Sequence, residues 1–413
     1  MERVELNGDS VTVIDVYADY PSYKPVEAKG EGFACVDDAA RAAVLLMQFN
    51  EATGKNEHEK IISGLVNFVF RMQISDGRFY NFLQREESGK VVINKTGRTS
   101  KAEFGWWAAR AVWALGEAAR YYSHRNSAMY NRAVAGVERT IPQIDSLLRN
   151  YGVKSPDGNP TWLLYRDGAD ATSELVLGLN DMYETTGDTL YSKFAGEFCK
   201  GMLLLQRGEC GDRPYGMIAS NADGWHAWAN SQAAAILQYS RLTGDASMVS
   251  AALREVNCFL PHWAGALFFR SCDMNGRHLD YSNQIAYDVA PAVMSAVEAY
   301  ELTREHKYKT LAAILASWFF GNNTAHTPFY FQQTGICFDG TIDSVRVNKN
   351  SGAESTIEAL VALVELQKID CAYAGVTPVS SSSFVSDRYR YIIDGREVEI
   401  EMVPNGFSLW KER

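Results

Sequence analysis

The sequence predicts an all-α protein built from helical hairpins, and three observations carry that expectation. Apolar residues recur at i, i+3, i+4 and i+7 over eleven stretches: 37–50, 57–72, 102–122, 127–149, 169–186, 188–206, 225–243, 246–260, 283–302, 306–320 and 353–369, the spacing of amphipathic helices. The joins alternate between tight (51–56, 123–126, 187, 244–245, 303–305) and long (73–101, 150–168, 207–224, 261–282, 321–352), and tight joins make antiparallel helix pairs. A short turn recurs in YETTGDTLY, SRLTGDASM and YELTREHKY at intervals of about 55–60 residues, and an internal repeat of hairpins argues for a ring or a solenoid.

In chain order, residues 1–36 are not helical. VTVIDVYADY alternates like an edge strand, and PSYKPVEAKGEGF is turn-rich. DDAARAAVLLMQFN opens with two aspartates, which the positive end of a helix dipole favours. Its return partner contains GLVNFVFRM. SDGRFYNFLQ and KVVINKTGR flank EESG in the first long join and predict a projecting hairpin. Four further pairs follow, and GAESTIEALVALVELQK is an eleventh helix without a twelfth. In the repeated turn, Gly ends one helix in the left-handed conformation and Asp caps the next. After residue 372, TPVSSSSFVSDR reads as a loop and YRYIIDGREVEIEMVPNGFSLWK as a hairpin around Asp394-Gly395 with one more strand. The expected organisation is a helical domain over 1–372 and a small β tail over 373–413 packed on it.

Composition narrows the function. The 413 residues carry a formal net charge of −10, which argues against a nucleic-acid binder. No run reaches the ~18 apolar residues of a membrane span. MERVELNGDS lacks the basic and apolar regions of a signal peptide, so the expectation is cytoplasmic. The seven cysteines are scattered with no CxxC pair and read as thiols in a reducing compartment. HExxH, a His pair at i, i+4 and an EF-hand loop are all missing, so neither a metal nor a cofactor is expected. Oligomeric state is not readable.

Around a ring, the long joins and the starts of the inner helices fall on one face. That face collects Asp37 and Asp38; Glu103, Trp106 and Trp107; Asp167, Asp170 and Glu174; Asp223, Trp225, His226 and Trp228; Asp280, Tyr281, Asn283 and Gln284; and Asp339, Asp343, Asn348, Asn350 and Glu354. Carboxylates converging with indoles and phenols suit carbohydrate: rings stack on pyranose faces while carboxylates and amides bind hydroxyls. Glycoside hydrolysis needs two carboxyl groups, the acid with a pKa raised by burial. An aspartate at a helix start also serves as a cap, but two adjacent aspartates exceed what capping needs. His226 serves equally well as a hydrogen-bonded structural residue, and Glu354 as a cap of its own helix.

Several segments resemble a bacterial helical-toroid family associated with glycosyltransferases and mannoside-active enzymes. GFACVDDAARAAVLL is similar to its G-Y-x-x-D-D-N-A-R-A-L opening. KAEFGWWAARAVWALGEAA resembles E-D-x-x-G-R-A-L-W-A-L-G, and HLDYSNQIAYDVAPAVMSA resembles F-D-Q-Q-P-I-E-A. SWFFGNNTAHTPFYFQQTGICFDGTI with VNKNSGAESTIEAL resembles W-F-L-G-x-N, T-G-G-C-x-D-G-L and N-x-N-x-G-A-E-S-T-L. The departures are Ala102 before Glu103, Ala39 after Asp37-Asp38, and Tyr281-Ser282 after Asp280. The resemblance implies a six-hairpin glycosidase-like (α/α)6 toroid and a sugar substrate. The resulting expectation is an inverting glycoside hydrolase acting on an oligosaccharide, its carboxyls about 6.5–9.5 Å apart. Asp38 and Glu103 are the expected acid/base pair, with Asp37 and Asp280 next. Trp106, Trp107 and Trp228 are the expected stacking platforms, with Asp170, Trp225, His226, Gln284, Asp339, Asn348 and Glu354 as further sugar contacts. The alternatives are another reaction on the same scaffold (epimerase, lyase or phosphorylase), in which His226 becomes central, and a non-catalytic glycan-binding protein.

Overall fold

The computed structural model describes residues 1–371, 376–378, 385–393 and 395–411. Among them thirteen α-helices form: α1 Val36–Thr53, α2 Glu59–Met72, α3 Trp106–Tyr122, α4 Ser127–Glu138, α5 Ile141–Leu148, α6 Ala169–Thr186, α7 Thr189–Leu203, α8 Gln232–Thr243, α9 Val249–Arg254, α10 Leu260–Gly265, α11 Ala290–Thr303, α12 Lys307–Ala316 and α13 Ala353–Lys368. α1 packs on α3, α3 on α6, α6 on α8, α8 on α11, α11 on α13, and α13 back on α1. The adjacency of these six inner helices is cyclic. α2, α4, α7, α9 and α12 each lie against the inner helix that precedes them.

The inner helices are buried nearly all round because they have neighbours on every side. In α3, every residue from Trp107 to Ala119 is buried, and in α6 every residue from Ala169 to Met182. These two helices approach closely through paired glycines. A Cβ on Gly116 would lie 2.4 Å from the Gly178 carbonyl oxygen, and one on Gly178 would lie 2.5 Å from the Val112 carbonyl oxygen. The recurring turn has one geometry at three places. Thr186, Thr243 and Thr303 each donate to the carbonyl four residues back and accept the backbone N–H two residues on. Gly187 and Gly244 end their helices at φ 69° and 74°, and Arg304 takes the same conformation at φ 61°.

The chain is not all-α: nineteen short strands make eight small sheets among the described residues. Most are excursions of the long joins. The hairpin expected around EESG is present, with Phe82–Arg85 paired to Val91–Ile93 and Ala34–Cys35 added on the other side. The tail forms strands Arg388–Ile393, Arg396–Val403 and Gly406–Lys411 in one antiparallel sheet with Thr377–Pro378. Tyr389 of this sheet meets His262, its hydroxyl 2.5 Å from Nδ1. Asp394 and residues 379–384 of the expected loop lie outside the described residues.

Several expected helices shorten where the backbone turns left-handed or where proline intervenes. The stretch 225–243 gives a strand at Gly224–His226, paired with Ser271–Asp273, and α8 starts only at Gln232, after Ala229 at φ 59°. The stretch 283–302 begins with Asn283 at φ 55°, and α11 starts at Ala290 with Pro291 in its first turn, where a missing N–H costs nothing. The stretch 127–149 divides into α4 and α5, with Pro142 opening the second helix. The stretch 102–122 becomes helical only at Trp106.

The reading of all seven cysteines as thiols is corrected: Cys210 and Cys258 form a disulfide. Cys258 sits on a π-helical turn, Glu255–Phe259, between α9 and α10, and spacing alone gave no signal for a partner 48 residues away. No helix among the described residues is long and apolar enough to cross a membrane.

The glycine pair yields a test whose sign opposes helix propensity. Alanine is favoured over glycine by about 1 kcal/mol in a helix interior, yet Gly178→Ala forces its methyl onto the α3 backbone. It should destabilise the protein by about 1–3 kcal/mol, measured by denaturant unfolding. An unchanged or raised stability would show that α3 and α6 do not meet at this distance.

Candidate functional site: a tryptophan-lined cavity at the helix N-termini

The beginnings of the inner helices converge on a cavity of about 380 Å³, within the ~300–1,000 Å³ of ordinary ligand sites. Asp37 comes from the first turn of α1. Trp106, Trp107 and Arg110 come from α3, and Glu354 from the first turn of α13. Trp228, Arg270, Ile285 and Tyr287 arrive on the segments before α8 and α11, and Asn81, Phe82 and Thr99 on the first long join.

Two buried arginines organise the wall. Arg110 pairs with Asp37 and, at 2.9 Å, with Glu174 of α6, and donates to the Tyr287 hydroxyl at 2.7 Å. The Tyr287 hydroxyl in turn donates to Glu174. Arg41 pairs with Asp38 at 2.8 Å, Glu354 at 3.0 Å and Glu358 at 3.1 Å. The Tyr287 ring lies between them, 4.9 Å from the Arg41 guanidinium and 5.1 Å from that of Arg110. Burial raises the carboxyls of Asp38 and Glu174 and takes Glu358 up to about 8, against the opposing pull of the arginines.

The aromatic surface is continuous. Trp106 and Trp228 lie 5.6 Å apart, and Trp228 stacks on His226 at 3.6 Å. The Trp107 indole N–H donates to the Phe79 carbonyl at 2.6 Å, which fixes its ring. His226 is held at both nitrogens: Nε2 faces Asp170 at 2.9 Å and Nδ1 faces the Trp228 carbonyl at 3.0 Å. Both partners are acceptors, so this imidazole offers no open nitrogen to a ligand. Glu103 is half-buried and accepts from the Tyr165 hydroxyl at 2.9 Å. That hydroxyl also accepts from the Trp106 N–H at 3.0 Å, which puts Glu103 at the Trp106 rim of the cavity. Burial raises its carboxyl, and the nearby charge of Asp37 adds to the effect.

The expected site residues therefore divide. Asp37, Trp106, Trp107, Trp228 and Glu354 line the cavity, with Glu103 at its edge and the Asp170–His226 pair behind Trp228. Asp38 is 5% exposed and turned to Arg41, so it holds the wall rather than opening onto the cavity. Asp280 is exposed on the 261–289 segment and accepts from the Ser282 N–H and hydroxyl. Trp225 is buried among Phe259, Trp263 and Phe269. Gln284 is fully buried, donating to the Leu267 and Phe268 carbonyls and accepting from the Trp318 indole. Asp339 accepts from the Gly352 N–H and the Ser355 hydroxyl and so anchors the start of α13. Asn348 accepts from the Asn350 N–H within a turn. Sequence reasoning missed Asn81, Tyr165, Arg270 and Tyr287. Tyr287 alone carries a usable signal, since it stands in HLDYSNQIAYDVAPAVMSA, one of the segments that bear the family resemblance.

No protein-family model matches the chain, and no curated protein matches it. Solved structures do. A sugar epimerase from a ruminal bacterium matches with a TM-score of 0.60 at 13% identity, over 87% of this chain and 92% of that one. Cellobiose 2-epimerase from Bacillus thermoamylovorans matches with a TM-score of 0.56 at 12% identity, over 86% and 91%. An endoglucanase from the termite Nasutitermes takasagoensis matches with a TM-score of 0.51 at 12% identity, over 86% and 96%. The chain shares the helical fold of these solved structures. At these identities the likeness is one of fold, and fold does not fix a reaction.

Arg41 gives the site its most exposed structural dependence. Its side chain is 3% exposed among three carboxyl groups. Arg41→Met should cost about 3–5 kcal/mol, as breaking a buried pair does, measured by chemical denaturation. A loss below 1 kcal/mol would mean that the carboxyls are neutral without it.

Proposed function

We propose that the protein is a glycoside hydrolase built as a closed (α/α)6 toroid and acting on an oligosaccharide in the tryptophan-lined cavity. The observation that carries the reading is the pairing of two unlike carboxyl groups at one indole surface. Glu103 is raised by burial, the property of a general acid, and Asp37 is ion-paired to Arg110 on the cavity wall. A sugar ring stacked on Trp106 and Trp228 presents its glycosidic oxygen to Glu103, which donates the proton. Asp37 takes a proton from the attacking water, and Arg110 holds that carboxylate in place. Glu354, its side chain 42% exposed, is left to accept from sugar hydroxyls. Asp38, the first candidate from the sequence, acts through Arg41 as a positioning residue.

A second reading is epimerisation or isomerisation, favoured by the names of two of the structural neighbours. It needs a base that removes a proton from a sugar carbon. His226, stacked on Trp228, is the imidazole that the sequence puts forward, and the acceptors at both of its nitrogens weigh against that role.

One experiment separates the two. Purified protein is incubated with α- and β-linked gluco-, manno-, galacto- and uronic oligosaccharides in deuterated water, and products are resolved by chromatography and NMR. Hydrolysis releases shorter sugars without deuterium on carbon, whereas epimerisation keeps chain length and incorporates it. Glu103→Gln and Asp37→Asn should each lower kcat by about 10²–10⁴-fold with unchanged folding. Activity should also fall on the alkaline side as Glu103 gives up its proton, and Glu103→Gln should remove that limb. Carbon-bound deuterium in a product of unchanged length would replace the hydrolase reading.

A further inference from the structure

Three arginines reach the cavity region, and their surroundings differ. Arg110 and Arg41 are each locked between carboxylates. Arg270 lines the cavity, yet among the described residues no carboxylate pairs with its guanidinium and no side-chain hydrogen bond engages it. Only its backbone is used: its N–H donates to the Asp280 carbonyl and its carbonyl accepts from the Ala227 N–H. That second bond sets Arg270 in register with the strand running into Trp228, so a cation without an ion-pair partner among the described residues stands beside the stacking platform.

No carboxylate among the described residues lies within ion-pairing distance of it. Asp280 feels its charge, yet its carboxylate accepts from Ser282 rather than from the guanidinium. Asp288 is 2% exposed, accepts from the Ile285 N–H at 2.8 Å, and is pushed by burial up to about 8, so at neutral pH it is mostly uncharged. The cavity carboxylates Asp37 and Glu354 are already committed to Arg110 and Arg41. A guanidinium left free in a partly enclosed site presents a planar fork of donors that matches a carboxylate or a phosphate.

We propose that the sugar bound in this cavity carries a negatively charged group, a carboxylate or a phosphate, that pairs with Arg270 while the ring stacks on Trp228. This rests on the carbohydrate reading of the site and narrows it to acidic saccharides.

The test measures binding, so it does not depend on turnover. D-glucuronate, D-galacturonate, glucose 6-phosphate, D-glucose and D-galactose are titrated into wild type, Arg270→Lys and Arg270→Met by calorimetry or ligand-observed NMR at low salt. Wild type should bind an acidic sugar at least about tenfold tighter than its neutral counterpart, the worth of one charge-assisted hydrogen-bonded pair. Arg270→Met should bring the acidic-to-neutral ratio close to one, and Arg270→Lys should keep part of it. The uronates and the sugar phosphate distinguish the two sources of charge. Neutral sugars binding as tightly as acidic ones, or a ratio unchanged in Arg270→Met, would overturn this proposal and leave the carbohydrate reading standing. Failure of all five to bind, alongside no product from any oligosaccharide, would remove both.

Discussion

The structure turns on the pair of buried arginines that flank Tyr287. Six inner helices begin near one another, and the positive ends of their dipoles favour acidic residues there. Asp37, Asp38, Asp170 and Glu354 answer that preference from the first turns of three helices, and Glu174 and Glu358 add carboxyls one turn further in. Carboxylates gathered in a low-dielectric interior repel one another and lose hydration. Arg41 and Arg110 offset both costs, and each joins residues distant in sequence: Arg41 ties α1 to α13 across 317 residues, and Arg110 ties α3 to α1, α6 and the segment before α11. The ion pairs that stabilise the N-terminal face are also the ones that shape the cavity wall.

The two ends of the inner-helix array differ for the same reason. At the opposite end the last turns of α1, α3, α6, α8, α11 and α13 enclose a second cavity of about 280 Å³, lined by Glu51, Glu117, Asp181, Glu184, Glu298, Glu301 and Glu365 with Arg120, Arg241 and Lys368. Acidic groups outnumber basic ones there, beside the negative helix ends. Burial pushes Asp181 and Glu298 upward, with neighbouring carboxylates adding to the effect. The aromatic end is the one furnished by the long joins, and of the two cavities it alone is lined by indoles.

How much of this was legible beforehand can be followed residue by residue. The repeat turn at Thr186, Thr243 and Thr303 is a local device, so its spacing predicted both the hairpins and which end of each pair is tight. Acidic pairs and tryptophans at helix starts placed Asp37, Trp106, Trp107 and Glu354 on one face, since a helix start is a local property too. Legibility failed where a residue's role depends on a distant partner. Asp38 and Asp37 are neighbours in sequence, and only the positions of Arg41 and Arg110 decide which is turned inward. Trp225 and Trp228 lie three apart on a segment that folds as strand and loop rather than helix, so one enters the core and the other faces the cavity.

The sequence by itself determined the helical hairpins, their repeat and the crowding of carboxylates and indoles at one end. These follow from periodicity, capping and composition, all of which act over a few residues. Tertiary structure decided the cyclic contacts of the inner helices, the small sheets in the long joins, the Cys210–Cys258 pairing, the closure of both His226 nitrogens and, among the described residues, the lack of an ion-pair partner for Arg270. Each of these depends on which remote group arrives within hydrogen-bonding distance, and packing of the whole chain sets that.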